Sequence, residues 1–169
     1  MDRPATHGYA KFVRALGIDV GERRVGLALS DPSGTLATPL VTLSSSSGIE
    51  PRVSAVVCEI DRLSREDDGL GVVVVGLPRG LDGREHEQTD RVTAFVEALR
   101  GRTTLPIVLQ DERLTSREAE SRLALRERDW RKRKQRLDAA AAAIILQDYL
   151  DRDHSKEAGD RKQETGGER

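Results

Sequence analysis

Ala15-Leu16-Gly17-Ile18-Asp19-Val20-Gly21-Glu22-Arg23-Arg24-Val25-Gly26-Leu27-Ala28-Leu29-Ser30 is the stretch on which the fold turns. Its two apolar runs, 15–20 and 24–30, read as β-strands, and Gly21 to Arg23 between them has the length of a hairpin turn. Asp19 interrupts the first run, where burying a carboxylate without a partner is costly. Either it has a chemical task there, or it accepts backbone hydrogen bonds in the turn that follows; Asp-x-Gly alone does not decide.

Working outward, Thr35 to Leu43 is a third extended stretch, and Pro39 within it demands an edge or a bulge. A loop at Ser44 to Gly48 leads into Ile49, Val53, Val56, Val57, Ile60 and Leu63, which keep to one face of a helix, with Cys58 beside that face and expected to be buried. Val72-Val73-Val74-Val75 has the continuous β-branched character of a central strand covered on both faces. Val92, Phe95, Val96 and Leu99 define a second helix, and Leu105 to Leu109 a further buried strand. Thr115 and Glu118 form a capping-box pattern for a helix through about Leu125, and Leu137 to Leu150 reads as an Ala-rich final helix. Strands alternating with helices give an α/β fold.

The chain of 169 residues is long enough for one core. Residues 1–13 read as a polar lead, 14–150 as the domain, and 151–169, which lack any large apolar side chain, as a disordered charged tail. Aromatic residues are 3% of the chain, so Val, Leu, Ile and Ala must build the core. A formal net charge of -1 argues against a uniformly basic coat and leaves local patches as the means of meeting a polyanion. The single cysteine rules out an intrachain disulfide, and neither a membrane span nor a secretory signal is legible. A cytoplasmic protein with no membrane contact is the expectation.

Two further acids stand out. Glu112 follows the strand Leu105 to Leu109, at the end of a sheet strand where α/β folds place ligands, although it also reads as a solvated acid beside Arg113, and Asp111 competes for the same role. Asp138 opens the predicted final helix, where helix-dipole stabilisation would account for it equally well. Together with Asp19 they form a hard-oxygen set of the kind magnesium prefers. Two such ions would activate a water and stabilise the leaving oxygen in attack on a phosphodiester, with no side-chain nucleophile.

Basic residues supply the matching surface. Arg126, Arg128, Arg131, Lys132, Arg133, Lys134 and Arg136 surround Trp130 against only two acids, Glu127 and Asp129. Such a run is either a solvated face or a phosphate-binding patch, and the indole offers a stacking surface for an unpaired base. Arg79 and Arg84, in the Gly-containing loop after the Val-rich strand, suit a substrate-gripping loop or a plain connector. Arg23 and Arg24 at the first hairpin either reach phosphate or keep the turn soluble. His86 has no assigned role.

Leu16-Gly17-Ile18-Asp19-Val20-Gly21, Val75-Gly76-Leu77-Pro78, Asp111-Glu112-Arg113-Leu114-Thr115-Ser116 and Asp138-Ala139-Ala140-Ala141-Ala142-Ala143-Ile144-Ile145-Leu146 together resemble the YqgF/RuvX family in order, spacing and content. The resemblance covers roughly residues 14 to 150. It implies an RNase H-like, RuvC-related mixed sheet flanked by helices, with Asp19, Glu112 and Asp138 as the catalytic and metal-binding acids and Mg2+, or Mn2+, as cofactor. It implies a nuclease acting on structured RNA, at the 5′ end of pre-16S ribosomal RNA, or a Holliday-junction resolvase acting on branched DNA. The nucleic-acid-binding residues, on the reading of the basic run and loop given above, would be Arg79, Arg84, Arg128, Trp130, Arg131, Lys132, Arg133 and Lys134. RuvC-type sites add a fourth ligand three residues after the final helix Asp, and here that position is Ala141. A non-catalytic RNA-binding module is therefore a competing reading. The glycine-flanked Asp19 also resembles the phosphate turn of actin-like ATPases, but a chain of this length has no second lobe. Junction resolution would need a two-fold dimer, whereas a monomer suffices to trim an RNA end.

Overall fold

The computed structural model describes residues 13–44, 47–78, 86–112 and 130–164, excluding the side chains of residues 86, 130–135 and 155–164. Strand β1, Arg14–Val20, pairs antiparallel with β2, Arg24–Ser30, with Asp19 opposite Gly26 and Leu16 opposite Leu29. Strand β3, Ala37–Ser44, continues the antiparallel half, and its ladder slips between Leu27 and Ala28, opposite Val41 and Pro39. Pro39 thus satisfies both expectations, an edge strand and a bulge. After α1, Ile49–Ser64, strand β4, Leu70–Leu77, lies parallel to β1; after α2, His86–Arg100, strand β5, Ile107–Asp111, lies parallel to β4. The sheet order is β3-β2-β1-β4-β5, and α3, Trp130–Glu164, closes the described elements. The result is a mixed sheet flanked by helices, as the resemblance implies.

The two faces of the sheet are built differently, and the difference positions the site. One face carries Leu16, Ile18, Val20, Val25, Leu27, Val73 and Val75 against Val53, Val56, Ile60 and Leu63 of α1 and Val92, Phe95, Val96 and Leu99 of α2, all buried. Burying each of these side chains contributes roughly 1.5–3 kcal/mol, so this face holds most of the cohesion. The other face carries small residues: Ala15, Ala28 and Val74 meet Ala142, Ile145, Leu146 and Leu150 of α3. Two glycines let the helix come closer still. A Cβ at Gly17 would lie 2.7 Å from Leu146 Cβ and 2.8 Å from the Ala142 carbonyl oxygen, and one at Gly26 would overlap the main chain of Asp138.

Several expectations need correction. The final helix begins at Trp130, not Leu137, and the segment expected to be a disordered tail continues it to Glu164. Asp138 is therefore interior to the helix, and the helix-terminus explanation of it falls away. Cys58 is exposed. It lies two residues after Val56, about 200° around the helix from the buried stripe. The fifth strand runs Ile107–Asp111 and forms an edge of the described sheet, with Leu109 41% exposed, where the sequence suggested a buried strand over 105–109. The helix expected from Thr115 to about Leu125 lies outside the described residues.

Polar groups fasten the ends of these elements. The Arg14 guanidinium, nearly buried, donates to the carbonyls of Gly69 and Leu63 and pairs with Glu66 at 2.8 Å, tying β1 to the end of α1. Between β2 and β3 the Asp31 carboxylate accepts the main-chain N–H groups of Leu36 and Thr35 and the Ser33 hydroxyl. Donation from Leu36, then from Ser33, holds its pKa below the ordinary value of 3.8.

Gly26→Ala should destabilise the fold by about 3 kcal/mol in urea unfolding, because backbone meets Cβ; Gly69→Ala, at φ 60° with open space around it, should cost about 1–2 kcal/mol. A folded-state pKa that is depressed gives stability above the unfolded value that is lost as pH falls through the folded value. The stability gap between the wild type and Asp31→Ala should therefore be full at neutral pH and narrow below about pH 3.8, as followed by thermal unfolding across pH.

Candidate active site

Alternation along β1 decides where Asp19 lies. Gly17 faces α3, so Asp19, two residues on, lies on the same face, half-buried and near the end of the strand. Its cross-strand neighbour on β2 is Gly26, directly beneath the main chain of Asp138. On the other side of β1, Ile18 pairs with Val75 of β4, and the next residue, Gly76, also faces α3. A Cβ at Gly76 would overlap Glu112 Oε1 and lie 2.5 Å from Ile145 Cδ1. Two positions without side chains, one on each flank of Asp19, thus admit Asp138 and the Glu112 carboxylate to the same face of the sheet.

The same alternation separates Asp111 from Glu112. Gly76 pairs with Gln110 and Leu77 with Asp111. Paired residues share a face, so Asp111 is carried on the face opposite to Gln110, and the carboxylate over Gly76 belongs to Glu112.

Around the β1–β2 turn the charge is arranged by two arginines. Arg24 Nε lies 3.2 Å from Asp138 Oδ2, with both side chains about a quarter exposed. The turn is closed by the Gly21 N–H donating to the Arg24 carbonyl at 2.9 Å. Arg52 of α1, 8% exposed, donates from Nη1 to the Gly21 carbonyl and from Nε to the Gly48 carbonyl, each at 2.9 Å, so the turn is clamped to the start of the helix. Gly21, Glu22, Arg23, Arg24 and Asp138 line an open depression of about 320 Å³. Arg52 escaped the sequence reading, yet a signal was present: positions 49, 52, 53 and 56 form one helical stripe, and Arg52 occupies an apolar place in it.

The chemistry of this donor set, all carboxylate oxygen, is of the kind a hard divalent cation prefers. Three carboxylates come from adjacent elements, and the positions flanking Asp19 carry no side chain that would fill the space between them. Among the described residues no three His, Cys, Asp or Glu side chains close around a common point. Asp138 is engaged with Arg24 instead. Ala141 supplies no donor, and the polar side chains further along α3 include Asp148, whose carboxyl is pushed up by burial.

The expected nucleic-acid-binding residues are placed only in part. Arg79, Arg84 and Arg128 lie outside the described residues. Trp130, Arg131, Lys132, Arg133 and Lys134 form the start of α3, and their side chains lie outside the described set. The basic segment is thus continuous with the helix that carries Asp138, Lys134 and Arg131 preceding it by about one and two turns.

The chain is 38% identical to a "Putative pre-16S rRNA nuclease" of Thermoanaerobacter pseudethanolicus, over 85% of this chain and all of that one. It is 42% identical to a protein of the same name from Nocardioides sp., over 80% of this chain and 86% of that one. Among solved structures, Thermus thermophilus RuvC in complex with a Holliday junction substrate aligns at 18% identity and a TM-score of 0.49, covering 79% of this chain and 91% of that one. A family model described as "RuvX: Holliday junction resolvase" matches residues 13–152, and with the relatives above it shows that the chain belongs to the RuvX family.

Proposed function

We propose that this protein is a metal-dependent endonuclease that cleaves structured RNA, with the 5′ end of pre-16S ribosomal RNA as its substrate. The observation that carries the reading is the delivery of Asp19, Glu112 and Asp138 to one face of the sheet by three separate elements, past glycines at 26 and 76. The names of the curated relatives support the substrate. Asp19, Glu112 and Asp138 would hold Mg2+, or Mn2+, which when bound supplies an activated water and neutralises charge on the phosphate. Asp19, on a strand buried between two layers, is the fixed member and sets the position of the others. Glu112 and Asp138 approach from either flank.

Phosphate binding falls to the basic start of α3 with Trp130, together with Arg79, Arg84 and Arg128 of the neighbouring segments. Contacts from Arg131, Lys132, Arg133 and Lys134 would lead the backbone along the helix toward Asp138. Among the described residues no helix is long and apolar enough to cross a membrane. We place the protein in the cytoplasm, where the RNA is made, a reading consistent with its single exposed cysteine.

The family description favours a second reading, cleavage of four-way DNA junctions. That activity would require a two-fold dimer to make paired cuts, whereas RNA trimming is open to a monomer. The test is cleavage of a pre-16S 5′ leader, a four-way junction and linear controls with Mg2+. Asp19→Asn should lower cutting at least about a hundredfold, as expected for loss of a metal ligand, while leaving RNA binding and thermal stability close to the parent. Chelation by EDTA should abolish the same activity and Mn2+ should restore it. Cutting of the junction alone would assign the protein to DNA. Binding without cutting on every substrate would make it a binding module.

A further inference from the structure

Arg24 is the feature that the reading above leaves without a task. It is carried on the same face as Gly26, since the two are separated by one residue on β2, and its guanidinium reaches Asp138 Oδ2 from there. The main chain of Arg24 is fixed twice, by the Gly21 N–H on its carbonyl and by pairing with Ser44 in the β2–β3 ladder. Behind it the turn is held by Arg52 on the Gly21 carbonyl. What can move is the guanidinium on its long stem, and it opens onto the depression shared with Gly21, Glu22, Arg23 and Asp138.

We propose that Arg24 is a positioning residue that couples cation binding to phosphate binding: it is the counter-ion of Asp138 until a divalent cation takes that carboxylate, and it then turns to a phosphate of the polynucleotide. This rests on the reading of Asp138 as a metal-holding acid. The argument is one of competing charges. A cation that approaches Asp138 must displace the guanidinium, and leaving that guanidinium partly buried beside a second positive charge is unfavourable. A phosphate removes the conflict, because its oxygens accept both N–H groups of a guanidinium fork. The depression of about 320 Å³, with Arg23 on its rim, has room for such a group. Among the described residues of the lining Glu22 is the one acid besides Asp138, and being exposed it can turn to solvent. Cation and phosphate therefore bind more tightly together than either does alone, and each raises the affinity of the other by the same factor.

The test measures Mn2+ affinity by the EPR signal of unbound Mn2+, with and without a phosphorothioate stem-loop RNA, in the wild type, Arg24→Gln, Arg24→Lys and Asp138→Asn. In the wild type the RNA should tighten Mn2+ binding by about 5- to 150-fold, the usual range of such couplings. In Arg24→Gln, Mn2+ without RNA should bind at least about fivefold more tightly than in the wild type, and the enhancement by RNA should shrink toward unity. Arg24→Lys keeps the charge and loses the fork, so Mn2+ alone should bind as in the wild type while the enhancement falls; this variant carries the test should Arg24→Gln not fold. Unchanged or weaker Mn2+ binding in Arg24→Gln, with the enhancement intact, would overturn the exchange and leave Arg24 as a structural clip. Loss of Mn2+ binding in Asp138→Asn checks the underlying reading separately. A wild type that binds no Mn2+ would overturn that reading and this proposal with it.

Discussion

The close approach of one helix to one strand pair governs the rest of the structure. Helix α3 lies on β1 and β2 through Gly17 and Gly26, where no side chain separates helix from sheet, and through Ala15, Ala28 and Ala142 around them. That contact is short because the residues are small, and it brings the main chain of Asp138 over the residue paired with Asp19. Larger residues on this face would still make a hydrophobic layer, but they would hold the helix, and its carboxylate, further from the strand. The opposite face has no such restriction, and there the bulk of Leu, Val, Ile and Phe provides most of the burial.

A layered division of labour results. The α1 and α2 side makes β1 a rigid platform, and the α3 side presents acids on it. Arg52 connects the two, since it belongs to the buried stripe of α1 yet fixes the turn from which Arg24 reaches Asp138. In the proposed site this arrangement holds the Arg24 guanidinium, a group that can accept a phosphate on its fork, beside Asp138.

The sequence disclosed elements better than edges or partners. Strands 15–20 and 24–30, the first helix from Ile49 and the Val-rich strand were legible because alternation and helical periodicity are local. Pro39 announced an edge or a bulge, since a missing N–H has few places to go. What failed was non-local or additive. The length of α3 depends on many weak preferences summed along Trp130 to Glu164, and a charged composition near its end imitates a disordered tail. Cys58 looked buried because its neighbours are, although it lies off their stripe. The sequence offered Asp19, Glu112 and Asp138 as candidates, with Asp111 in competition, but it could not show that Gly26 lies under Asp138 and Gly76 under Glu112, nor that Arg24 pairs with Asp138, because those relations exist only once strands are paired.

The central claim is that Asp19, Glu112 and Asp138 form one cation site. A crystal structure of the protein with Mn2+ and a phosphorothioate stem-loop RNA tests it most directly, through the anomalous signal of manganese. The account predicts a peak with carboxylate oxygens of all three acids about 2.0–2.2 Å away, close to the octahedral distances of magnesium, and the Arg24 guanidinium turned from Asp138 to a phosphate. A peak held elsewhere, with Asp138 still on Arg24, would contradict it.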